Sequence, residues 1–135
     1  MPRFVWLSLS LALAACKPAA PTLDPAADSI ARQFFDEVSA GADLDGDPHL
    51  AHELKNPTTE AQLGEFRALI PSEPPSSVEL TSWDASDDAI GTTTRLSTAY
   101  RYIDRTLTVQ TALFKSPGGR EPVIVGFRVT SDHGG

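Results

Sequence analysis

Three groups of side chains in this 135-residue chain are of types that do chemistry. Asp43-Leu44-Asp45-Gly46-Asp47 is the densest acidic run. Alternating carboxylates beside a glycine suit calcium, which takes about six to eight hard oxygen ligands. The EF-hand pattern puts glycine sixth and glutamate twelfth. Counted from Asp43, glycine is fourth and the twelfth residue is Leu54, so a solvated turn leading to Asp47 is the better account. His49, His52 and Glu53 invite a zinc reading, since histidines three apart share a helix face and imidazole ligates zinc. The order His49-Leu50-Ala51-His52-Glu53 fits neither His-Glu-x-x-His nor His-x-x-Glu-His, and a third ligand would have to come from a distance. Two surface histidines are expected instead, and no metal or cofactor. His133 lies in a glycine-rich tail.

The third group is Arg95, Arg101 and Arg105 with Tyr100 and Tyr102. A sheet face presenting Arg95, Tyr100 and Tyr102 would hold an anionic or aromatic ligand. The alternation of a strand works against a single mixed pocket. It places Tyr100 and Tyr102 with Leu96, and Arg95 and Arg101 on the opposite face. The competing reading has the arginines solvated and the tyrosines in the core. No Gly-x-Ser-x-Gly elbow or phosphate loop is present; Gly118-Gly119 reads as a hairpin turn.

Cys16 is the single cysteine. Arg3 gives a short positive start, Phe4 to Ala15 is uncharged and mostly apolar, and two alanines precede the cysteine. That order is the signature of a secretory signal, and the run is too short for the roughly 20 residues that span a bilayer as a helix. Leu13-Ala14-Ala15-Cys16 resembles the lipobox of bacterial lipoproteins. The resemblance implies cleavage before Cys16, a diacylglyceryl thioether on its sulfur and an acylated amine. Each buried acyl methylene adds about 0.8 kcal/mol, so two or three chains anchor firmly. Lys17 is not the aspartate that retains such proteins in the inner membrane. By the same resemblance, this favours the periplasmic face of the outer membrane.

Cleavage would leave Cys16 to Gly135, 120 residues, enough for one core and too few for two. The chain carries a formal net charge of −7, and losing Arg3 makes it −8. That balance excludes nucleic acid and electrostatic docking on anionic lipid.

Residues 17–25 hold three prolines and read as a tether. Asp24-Pro25 opens a helix whose Ala27, Ile30, Ala31, Phe34, Phe35 and Val38 form one apolar stripe, with Gly41 as the stop. Asp47-Pro48 predicts a short helix to about residue 55. A capping box, Thr59 to Gln62, predicts another over residues 60–70. Past the loop at 71–77, four strands are expected over 77–84, 90–103, 106–115 and 122–130. On the last of them Val123, Val125, Phe127 and Val129 share a face. The links are too short for parallel crossovers, so the neighbours are antiparallel.

The predicted fold is α+β, N-terminal helices packed on a curved four-stranded antiparallel sheet. Residues 1–15 form the signal peptide, 16–25 the lipidated tether, 26–132 one domain and 133–135 a disordered tail. The element order and the strand Val-Ile-Val-Gly-Phe-Arg-Val (Val123 to Val129) resemble NTF2-like or cystatin-like small bacterial lipoproteins. The resemblance implies a pocket between sheet and helices, sometimes catalytic and often only binding or dimer-forming. The expectation is a membrane-anchored, non-catalytic binding or interaction domain with an envelope protein, small ligand or second copy as partner. The alternative is a small enzyme using His49 or His52 with a carboxylate for general acid–base chemistry.

Overall fold

A computed structural model describes residues 22–119 and 121–133. The signal segment, Cys16, most of the tether and the last two residues lie outside that range. The α+β expectation holds: helices α1 (Pro25–Ala40) and α2 (Pro57–Leu69) pack on a four-stranded antiparallel sheet. The strands β1 (Ser77–Asp88), β2 (Gly91–Arg101), β3 (Thr106–Lys115) and β4 (Val123–Asp132) follow in spatial order β1-β2-β3-β4. No helix among the described residues is long and apolar enough to cross a membrane.

The first helix forms as its sequence dictates. Asp24 accepts the Ala26 N–H at 2.9 Å, and Pro25 fills the first helical position, where a missing N–H costs nothing. Gly41 ends the helix in the left-handed conformation, φ 72°. All six stripe residues are buried. Phe34 meets Phe66 of α2 edge-on and Phe127 of β4, while Phe35 stacks on Tyr100 of β2 with ring centroids 3.7 Å apart. These aromatic contacts join both helices to the inner face of the sheet.

Five local expectations are corrected. Helix α2 begins three residues early, because Asn56 takes the cap and accepts the Thr59 N–H at 2.9 Å. With Pro57 at the first position, Thr59 becomes an interior, buried residue rather than the cap. No helix forms over 48–51; only a short 3-10 turn at His52–Leu54 appears. Tertiary pairing overrides the local signal there. The Ile124 N–H donates to the His49 carbonyl at 2.7 Å and the Ala51 N–H to the Ile124 carbonyl at 2.9 Å, so Leu50 lies extended beside β4.

Strand β1 runs to Asp88, past the predicted turn, because Asp88 itself closes it. Its carboxylate accepts the N–H groups of Ile90 and Gly91 at 2.9 and 3.1 Å, making a two-residue hairpin. Ile90 and Ile103, expected in β2, sit exposed in the flanking turns. On β4 the predicted face is broken by a bulge. Leu113 pairs with Ile124 and Ala112 with Gly126, leaving Val125 as the extra residue. Ile124 is therefore fully buried and Val125 is 40% exposed, while Phe127 and Val129 keep to the core.

Candidate functional site

The helices cover one face of the sheet. Leu96, Tyr100, Leu107, Val109, Leu113 and Ile124 point to them and are buried. The opposite face carries no helix, and its residues are those of the other parity. Two rows run across all four strands there. One is Asp84, Arg95, Ala112 and Gly126; the other is Ser82, Ser97, Gln110 and Arg128. Between and around these rows lies an open groove of about 560 Å³. Its floor is low because two adjacent positions hold alanine and glycine, and a Cβ on Gly126 would touch nothing nearer than the Ala112 Cβ at 3.8 Å.

The charges in the groove are not spent internally. Among the described residues, the ion pairs are Arg32–Asp28, His49–Glu121, Arg101–Glu79 and Arg105–Asp104. Neither Arg95 nor Arg128 is in one. Other arginines are structural. The Arg67 Nε donates to the Val38 carbonyl at 3.0 Å and the Arg105 Nη1 to the Leu69 carbonyl at 3.2 Å, satisfying the C-terminal ends of α1 and α2. Asp104 is held below the usual carboxylate range by the Arg105 guanidinium that bonds it.

The residues singled out from the sequence are therefore divided. Arg95 lines the groove. Tyr100 and Tyr102 do not; both are buried on the helix side, 4% and 7% exposed. Burial, reinforced by the nearby Asp36 carboxylate, pushes both phenols above their ordinary range. The Tyr102 hydroxyl is buried without a hydrogen-bond partner among the described residues. Arg128 and Gln110 also line the groove, and neither is singled out by the sequence alone. Their signal was available in the strand alternation, but pairing them required the β3–β4 register.

The acidic run and the histidines gather elsewhere, around the C-terminal half of α1. Asp43 accepts the Asp45 N–H at 3.0 Å and Asp47 the His49 N–H at 2.8 Å, so two of the three carboxylates close turns. No group of three or more His, Cys, Asp or Glu among the described residues is placed to hold a metal. His49 is half-buried with its Nδ1 3.5 Å from Glu121, whereas His52 is exposed on its 3-10 turn. The two do not converge, and neither lines the groove.

Glu37 faces this loop. Its carboxyl shares a hydrogen bond with Asp47 and is partly desolvated, which raises its pKa to about 6 from an ordinary 4.5. The folded chain then holds that proton more tightly than the unfolded chain between the two values. Stability falls as pH rises through this window, because the native state binds the extra proton. Solvent reaches Glu37, and screening keeps the effect below about 1 kcal/mol. Glu37→Gln is expected to flatten the urea stability profile between pH 4.5 and 6. An undiminished slope in the variant would place the titration in another group.

No family model matches the chain, and no curated protein or solved structure matches it either.

Proposed function

We propose that this chain is a lipoprotein of the bacterial cell envelope whose folded domain binds a ligand without catalysis. The observation that carries the reading is Leu13-Ala14-Ala15-Cys16 behind a positive start and an apolar run too short to span a bilayer. Cys16 carries the lipid, residues 17–25 tether the domain, and Lys17 directs the protein to the periplasmic face of the outer membrane. We read the domain as NTF2-like or cystatin-like, a reading that helices preceding a four-stranded antiparallel meander support. The groove on the helix-free face, lined by Arg95 and Arg128, supports a binding role. An acid–base enzyme built on His49 or His52 has less support, since neither histidine lines that groove.

Cys16→Ser is expected to move the protein from the membrane fraction to the soluble fraction of the envelope. Two or three acyl chains hold a protein essentially permanently, so the shift should be near complete. Retention of the serine variant in membranes would overturn the lipoprotein reading. Proximity crosslinking from the anchored protein in intact cells, read by mass spectrometry, then asks whether an envelope protein is the partner.

A further inference from the structure

We propose that the groove on the helix-free face binds a small soluble dianion of the dicarboxylate class, one carboxylate on each of Arg95 and Arg128. The inference rests on the binding-domain reading and names its ligand. In a chain of net charge −7, two guanidiniums share one groove with no internal ion pair among the described residues. They stand two strands and two residues apart, roughly 12 Å between Cα positions by ordinary strand geometry. That separation suits two anionic groups on one short ligand better than a single ion. Guanidinium forks bind carboxylates bidentately, which supplies both energy and orientation.

The space between the arginines is shaped for the body of such a ligand. Ala112 and Gly126 leave the floor open, and Gln110 and Ser97 supply neutral donors beside it. Asp84 stands directly across from Arg95 on β1 and repels anions at that end. The ligand is thereby placed over β2, β3 and β4, between the two cations. A groove of about 560 Å³ is of small-molecule size. The overall negative charge disfavours an anionic membrane as the occupant of this face, so the source of the carboxylates is a soluble molecule.

The test is titration of the full chain in detergent with succinate, followed by amide chemical shifts. Succinate is expected to shift the Ser97, Gln110 and Gly126 amides saturably. The Arg95→Gln/Arg128→Gln variant is expected to weaken the response by about tenfold or more, since both charge-assisted contacts are lost together. Ala112→Leu fills the floor without changing charge and is expected to weaken it too. Absence of saturation, or an equal response in the double arginine variant, overturns the proposal. So does a response to phosphatidylglycerol vesicles with none to succinate, which would assign a lipid headgroup instead. Failure here leaves the membrane-anchor reading standing, because fractionation of Cys16→Ser decides that separately.

Discussion

Phe34→Ala is expected to lower the stability of the domain by about 3–5 kcal/mol, measured by urea denaturation of the purified chain. Phe34 is 1% exposed and lies where the two helices and the sheet meet. Its ring stands perpendicular to Phe66 of α2 at 6.4 Å between centroids and tilts against Phe127 of β4 at 5.4 Å. Phe66 and Phe127 are themselves 6.0 Å apart, so the three rings form a closed triangle across helix, helix and sheet. Truncation removes one corner and leaves a cavity bounded by rigid rings, which collapse poorly into the gap. The lost transfer energy and the cavity then add. Small domains have about 5–15 kcal/mol in total, so the variant should retain the fold with a greatly lowered midpoint. A loss below about 1 kcal/mol would mean that the three rings do not pack as a unit.

The residues that this triangle needs were legible in the sequence to different degrees. The α1 stripe was readable in full, because the helical period puts Ala27, Ile30, Phe34 and Val38 on one side whatever lies opposite. The shared face of β2 and β3 was equally plain, since the two strands pair without a bulge and Leu96, Tyr100, Leu107, Val109 and Leu113 all face the helices. Strand β4 was not. One extra residue at Val125 reverses the parity, and the only hint within the strand is the interior Gly126 beside it, which does not say which residue loops out. The segment at 48–51 failed for a related reason. Asp-Pro is a sound local helix start, but the backbone of His49 and Ala51 is claimed by Ile124, more than seventy residues away in sequence. Local patterns record what a segment prefers alone; they do not record such long-range partners.

The groove shows the same division at the level of function. Arg95 could be singled out as a charged residue in a strand, and its parity told against company with Tyr100 and Tyr102. The structure sets those tyrosines on the opposite face, where Phe35 stacks on Tyr100. The neighbours of Arg95 are Asp84 on β1 and Ala112 on β3, and Gly126 and Arg128 on β4 join that face through a register that depends on the same bulge. Without Val125 looped out, Arg128 would turn toward the helices and Phe127 toward solvent. The bulge thus puts an aromatic into the core and a cation into the groove at once.

The second large effect is expected at Gly91, where alanine should cost about 2–4 kcal/mol by the same denaturation measurement. Gly91 opens β2 directly after the two-residue hairpin, at φ 148°, a conformation that side chains of L-residues rarely adopt. A Cβ there would collide with the Lys115 carbonyl oxygen and come within 2.7 Å of the Phe114 ring. The carbonyl cannot retreat freely, since Lys115 pairs with Thr92 at the end of the β2–β3 ladder. Phe114 pairs with Thr93 and Val123, so moving its ring disturbs both adjoining strands. Backbone conformation and collision can be separated with Gly118, which has φ 73° but no atom within 4 Å of an added Cβ. Gly118→Ala carries only the conformational penalty, about 1–2 kcal/mol. If the collision at Gly91 is real, its alanine variant unfolds at distinctly lower urea than the Gly118 variant. Equal midpoints would mean that the β1–β2 hairpin and the end of β3 approach each other less closely than described. The edge of the groove would then be wider too, because Phe114 lies on the same face as Arg95 and next to Ala112 along β3.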